Sequence, residues 1–181
     1  GTDGNINTLT GDGTFFPAAD GATAPFPVGQ ANSLMIDASG NLYFVEELGN
    51  RVRKLSGAGT LSTIAGESVS FIDGVQATQG RIFAPQGVAV DLSGKILIAD
   101  IGNKRIRRIN PSVGTIDTIA GNGSGTFTGE GGPATSAGIG YPFDVAVDPT
   151  GLVYIATTNY FFGGTDSRIL KIALDGTIST V

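Results

Sequence analysis

The stretch Ala84 to Gly121, APQGVAVDLSGKILIADIGNKRIRRINPSVGTIDTIAG, decides the fold. It contains four short runs, GVAVD, KILIAD, RIRRI and GTIDTIAG, each apolar or alternating and rich in Val, Ile and Thr. Such residues favour the pleated, half-buried surface of a strand. Turn formers separate the runs: Leu92-Ser93-Gly94, Gly102-Asn103, Asn110-Pro111 and Val113-Gly114. Four alternating runs punctuated in this way predict a four-stranded antiparallel meander.

The unit recurs about three times. Asp37-Ala38-Ser39-Gly40, Asp91-Leu92-Ser93-Gly94 and Asp148-Pro149-Thr150-Gly151 mark the same first turn, each followed by an apolar run, LYFV, ILIA or VYIA. The basic-apolar runs Arg51–Leu55, Arg105–Ile109 and Arg168–Ile172 come next. Closing strands end in Leu61–Gly66, Ile116–Gly121 and Ile178–Val181, and an additional closing strand, Ile6–Gly11, precedes the first unit. Thr8, Thr63, Thr118 and Thr180 are therefore equivalent. The first unit's turn Glu46–Asn50 reads as one residue shorter than its counterpart in the second.

One small sheet cannot bury both of its faces until others stack beside it, so four strands per repeat predict an all-β β-propeller. The reading divides the chain into an extra N-terminal outer strand over 1–11 and blades over 32–66, 84–121 and 142–181. Val88, Val90, Leu97 and Ala99 are expected to line the inner faces, and the three blades to belong to a larger, six-bladed ring.

At Pro85 to Ile109 the pattern Pro-x-Gly-Val-Ala-Val-Asp, then Ala-Asp-x-Gly-Asn-x-Arg-Ile-Arg-Arg-Ile, resembles the NHL repeat. The likeness is good at Leu34 to Leu55 and fair at Pro142 to Ile172. The connectors ending in Ala77-Thr78 and Ala134-Thr135 resemble those of bacterial NHL proteins. In the third unit Thr157 to Asp166 replaces the short Asp-x-Gly-Asn turn, so the resemblance assigns that loop no role. It implies a non-enzymatic interaction or scaffold module, extracellular or at the cell surface.

Composition narrows the chemistry. A net charge of −5 disfavours attraction to nucleic acid or anionic lipid. No apolar run approaches the roughly 18 residues that a membrane-spanning helix needs, so no membrane insertion is expected. The chain has no Cys and no His, which removes disulfides, thiolate chemistry, the usual zinc ligand and the usual general base. The 29 glycines suit a turn-rich chain. Gly1 in place of Met reads as a processed product or an excised segment.

The candidate residues divide into turn acids, strand-end acids and loop aromatics. Asp37, Asp91 and Asp148 each open an Asp-x-x-Gly turn, where a carboxylate accepts backbone N–H bonds. Glu46, Glu47 and Asp100 end second strands. Pointed at a central channel they could gather oxygens around calcium, while Asp100 bonding its own turn and pairing with Arg105 is the structural alternative. Unit three breaks that ring with Thr157. Asn122-Gly123-Ser124 satisfies the glycosylation pattern at Asn122, although a plain Asn-Gly turn is the favoured explanation. Tyr160, Phe161 and Phe162 place three aromatics on one loop, a candidate interaction surface.

Connectors 12–30, 67–84 and 122–141 each carry an aromatic and an acid-glycine pair, Asp20-Gly21, Asp73-Gly74 or Glu130-Gly131, which suits a loop folded back over its blade. No catalytic set and no cofactor is assigned. The alternative is a calcium-dependent hydrolase or lyase-type propeller. Expected partners are a second copy or further blades of a longer chain, with a protein or glycan ligand.

Overall fold

The computed structural model describes residues 9–11, 18–66, 71–158 and 166–181. Residues 6–8 of the expected strand Ile6–Gly11, together with Tyr160, Phe161 and Phe162, lie outside the described residues, and Leu9 to Gly11 form no strand.

Blade one is the sheet β1 (Ala31–Ile36), β2 (Leu42–Glu46), β3 (Arg51–Leu55) and β4 (Leu61–Gly66), antiparallel in that order. Blade two follows the same order through β6 (Pro85–Val90), β7 (Ile96–Asp100), β8 (Arg105–Asn110) and β9 (Thr115–Ala120), and the two-residue β5 (Val75–Gln76) joins the outside of β9. Blade three contains β10 (Tyr141–Val147), β11 (Val153–Thr158), β12 (Ser167–Ile172) and β13 (Ile178–Thr180). The fifth strand of blade two is the connector's contribution. A short 3-10 turn follows it at Ala77–Gln79, and its counterpart before blade three is Ala134–Ser136.

First strands pack against one another, β1 with β6 and β6 with β10, so they are innermost and the closing strands are outermost. Cross-strand register pairs Val88 with Ile98, and Ala89 with Leu97. Because side chains alternate across a strand, these two pairs face opposite ways. Val88, Ile96 and Ile98 pack with Tyr43, Val45 and Val52 of blade one. Ala89, Leu97 and Ala99 pack with Val145, Ile155 and Leu170 of blade three. The expected single inner face is therefore two faces: Val88 and Val90 look back to the preceding blade, while Leu97 and Ala99 look forward to the next. A blade in a stack is covered on both sides, which explains why KILIAD is a continuous apolar run.

Two further details follow from register. Glu46 pairs with Arg51, and Asp100 with Arg105, so the turns after the second strands are equal in length, contrary to the expectation for blade one. Gly66 and Gly121 close their strands at φ 100° and 94°, where a Cβ would meet the carbonyl oxygens of Asn50 and Lys104. Only glycine fits that crossing, which accounts for the repeated Ile-Ala-Gly.

Each connector fills the outer wedge beside its own blade. The Asp20 carboxylate accepts the N–H and hydroxyl of Thr63 (2.8 and 2.9 Å), and Glu130 accepts those of Thr180 (2.8 and 2.9 Å). Asp73 accepts the Thr118 hydroxyl at 3.1 Å. The acid-glycine pairs thus fasten the connectors to the equivalent threonines. The aromatics pack as well: Phe71 lies under the Arg105 guanidinium at 4.4 Å, and Phe127 under that of Arg168 at 4.6 Å.

Candidate functional site

A cavity of about 570 Å³ opens where the inner strands begin and the second strands end. Its wall is drawn from all three blades: Glu47 from the first, Phe83, Gln86, Ile101 and Lys104 from the second, Tyr141 and Phe143 from the third. The location follows from the meander. In blades one and two the turn after the second strand emerges at the same end as the entry to the first strands, so segments of all three blades surround one space.

Buried ionic groups hold the wall in place. Asp100 is inaccessible to solvent, and its carboxylate accepts the Phe83 N–H at 2.9 Å and the Asn103 amide at 2.8 and 3.0 Å. Arg107, equally buried, lies 3.5 Å from it. Burial pushes the Asp100 carboxyl up, and the bonds from Asn103, Phe83 and Arg107 oppose that shift. The Gly102 N–H donates to the Phe83 carbonyl at 2.9 Å, and a Cβ on Gly102 would strike the Phe83 ring. Asp100 and Gly102 therefore set where Phe83 stands. Across the cavity the Lys104 ammonium sits 5.2 Å from the Tyr141 ring centre. At the rim the Glu47 carboxylate accepts from the amides of Gln30 and Asn32, and Asn32 also donates to Gln86 at 2.9 Å. The result is an apolar, aromatic floor with an amide, a carboxylate and an ammonium at its edge.

Two of the strand-end acids, Asp100 and Glu46, are committed to arginines. Asp100 pairs with Arg107 rather than with the expected Arg105: both arginines lie on the face of β8 that meets Asp100 and Ile98, and Arg105, though directly opposite Asp100, gives its guanidinium to the carbonyls of Asn103 and Asn122. Glu46 pairs with both Arg51 (2.6 Å) and Arg53 (3.2 Å). Thr157 fills the third position, buried. Among the described residues no group of three or more acids could hold a metal ion.

The turn acids behave as their sequence reads. Asp37 accepts the N–H groups of Ser39 and Asn41, Asp91 those of Ser93 and Lys95, and Asp148 those of Thr150 and Leu152. Asn122 is exposed, donating to the Ser136 carbonyl (2.9 Å) and accepting the Ser124 N–H (2.9 Å). The cavity itself was missed by sequence reasoning. Its signal was present in the repeat, where Tyr141-Pro142-Phe143 aligns with Ala84-Pro85-Gln86 and supplies aromatics on both sides of the inner-strand proline.

Three antiparallel sheets stacked by their faces, first strands innermost and a shared cavity at one end, define a β-propeller type of protein. Comparisons with known proteins agree on the fold. No family model matches the chain. Teneurin-1 of Caenorhabditis elegans is 31% identical over 106 residues, covering 48% of this chain and 4% of that protein. Among solved structures, a gluconolactonase from Xanthomonas campestris is similar at a TM-score of 0.56 with 16% identity, over 90% of this chain and 48% of its own. A chain of the nidogen/laminin complex is similar at a TM-score of 0.58 with 17% identity, over 83% and 47%. The chain thus spans less than half the length of each. Similar propellers include enzymes and a member of a protein complex, so the fold by itself selects no activity. Among the described residues no helix is long and apolar enough to cross a membrane.

Proposed function

We propose that the chain is a non-enzymatic interaction module of the NHL-repeat type, acting outside the cell or at its surface, and that it holds its partner in the three-blade cavity. The carrying observation is the wall itself. Phe83, Ile101, Tyr141 and Phe143 offer apolar area to an anchoring group, while Glu47, Gln86 and Lys104 offer polar contacts around it. That composition matches interface cores, where aromatics supply contact area and a polar rim fixes orientation. The volume suits one or two protruding side chains of a protein partner or a small part of a glycan. The teneurin similarity and the nidogen/laminin fold likeness support the extracellular setting.

The alternative, a calcium-dependent hydrolase, needs acids free to coordinate. Glu46 and Asp100 are already buried beside arginines, which speaks against it. Two measurements test the reading. A fragment screen by NMR, using aromatic, aliphatic and monosaccharide probes, should move the signals of Phe83, Ile101, Tyr141 and Phe143, and Phe83→Ala should abolish the shifts. Thermal unfolding should be unchanged by micromolar calcium. Fragments that bind elsewhere, or a calcium-dependent rise of several degrees in Tm, would count against the module and for a metal site.

A further inference from the structure

Blade two carries three cations at its cavity end that no carboxylate matches. Arg81 lies 5.0 Å from the ring centre of Phe83, Lys104 5.2 Å from that of Tyr141, and Arg105 4.4 Å from that of Phe71. All three are half-buried, and among the described residues none of them forms an ion pair. Asp73 and Asp100, the acids nearest in the same blade, belong to Arg107. Arg105 gives its guanidinium to the carbonyls of Asn103 and Asn122, whereas the charged ends of Arg81 and Lys104 donate to no group among the described residues. Blade two has a neighbour on each side, so this end is not a flank of the stack. A chain with a net charge of −5 therefore gathers unmatched positive charge beside one cavity.

The acceptors across the cavity are engaged within the protein. One oxygen of Glu47 accepts the amides of Gln30 and Asn32, and the Gln86 side-chain oxygen accepts Asn32 at 2.9 Å. What the rim offers a ligand is mainly donors: the Lys104 ammonium, the Arg81 guanidinium and the Gln86 amide N–H. The backbone holds this arrangement at a cost. Lys104 and Ala84 line the cavity at φ 54° and 49°, and the Asn50 side chain accepts the Ala84 N–H at 2.7 Å. Non-glycine residues are uncommon in this left-handed region and cluster where ligands are clamped.

We propose that the occupant of the cavity is an acidic peptide segment of a protein partner. An apolar side chain enters between Phe83, which is 44% exposed, Ile101 and Phe143, and carboxylates on the neighbouring residues of that segment meet Lys104 and Arg81. This rests on the cavity being the binding site. Arginines and aromatics are the side chains that dominate protein interfaces, and opposite charge at the rim selects and steers the partner. A neutral sugar would leave Lys104 and Arg81 unmatched. A nucleic-acid base binds by stacking, and Phe71, Phe83 and Tyr141 each already give a face to their own cation.

NMR titration of the 181-residue chain with three capped pentapeptides tests this. The probes share a central Leu flanked on both sides by pairs of Glu, Gln or Lys. The Glu peptide should move the signals of Phe83, Ile101 and Phe143 and bind about tenfold more tightly than the Gln peptide at low salt, an advantage that added salt removes. Lys104→Asn, which tolerates the left-handed backbone, and Arg81→Gln should each reduce that advantage, with circular dichroism and binding of the Gln peptide unchanged. Equal binding of the Glu and Gln peptides at the cavity, or an advantage that survives both variants, would overturn the acidic partner and leave the cavity reading standing. Cavity signals that no peptide moves at millimolar concentration would overturn both. Tighter binding of oligothymidylate or glucuronate than of the Glu peptide would overturn the peptide assignment and give the cations to a nucleic acid or an acidic glycan.

Discussion

Blades two and three solve one packing problem with opposite chemistry. At the third position of the third strand, blade two buries Arg107 and blade three buries Leu170, neither of them accessible to solvent. The second-strand position diagonal to it on the same face changes in concert, from Asp100 to Thr157. Arg107 reaches Asp73 at 2.7 Å, the Arg81 carbonyl at 3.1 Å and the face of Phe71 at 4.3 Å, tying connector, blade and cavity wall together. Blade one uses the ionic version too, with Arg53 bonded to Asp20 and Glu46. What all three blades share is the connector acid on the outer threonine. The buried arginine is separable from the fold, and its guanidinium is imperfectly served, since the Nε–H groups of Arg53 and Arg107 find no partner among the described residues. A buried pair of this kind is difficult to break singly and easy to replace as a unit.

The comparison breaks most visibly at Arg107→Ala. Asp100 would remain buried without its cation, and the loss should be about 3–5 kcal/mol, a large part of a domain's stability. Urea unfolding followed by circular dichroism measures it. Transplanting blade three's solution, Asp100→Thr with Arg107→Leu, should recover most of that. A residual cost of about 1–2 kcal/mol is expected for the Phe83 N–H and Asn103 amide that Asp100 serves. If the double variant is no better than Arg107→Ala, the two blades are not interchangeable.

The connector acids sharpen the contrast at smaller scale. Asp73→Ala removes a partner of a buried cation and a bond to Thr118, and should cost about 1.5–3 kcal/mol. Glu130→Ala removes only the bonds to Thr180 and should cost about 0.5–1 kcal/mol. Equal losses would mean that the arginine contributes nothing to holding the connector.

These distinctions mark how far the sequence could be read. Strand order and turn acids were legible because each depends on local pattern, alternation and Asp-x-x-Gly, and the recurring acid-glycine pair marked connectors folded back over their blades without showing the threonines that they bind. The partner of Asp100 was not legible, because Arg105 and Arg107 lie two residues apart on one face of β8, and only the folded loops show that Arg105 is taken by the carbonyls of Asn103 and Asn122. The two-sided burial of the blades was obscured for a related reason. KILIAD shows no alternation, so it carries no mark of which residues look forward and which back. The cavity was hidden because Phe83, Ile101 and Tyr141 lie far apart along the chain and meet only when blades stack.

The smallest expected effect is a pH dependence that separates the two kinds of acid. Asp37 and Asp148 sit below the ordinary 3.8: the Asn41 amide holds Asp37 down, the Thr150 hydroxyl holds Asp148 down, and backbone N–H groups of the turns add to both. The unfolded chain then binds more protons than the folded one between the depressed values and 3.8, so stability is complete above about pH 4 and falls as pH drops through the folded values. Asp100 has the opposite sign. Its carboxyl is raised by burial, so the folded chain binds the extra proton, and this contribution declines as pH rises from 3.8 through the folded value. Urea midpoints measured from pH 3 upward should therefore rise out of the acid range and then slacken. The Asp100→Thr/Arg107→Leu variant, built like blade three, should keep the acid-side rise and lose the later decline, whereas Asp148→Asn should blunt the acid-side rise alone. An identical profile in the wild type and the double variant would show that Asp100 stays ionised throughout, held by Arg107 strongly enough to override its burial.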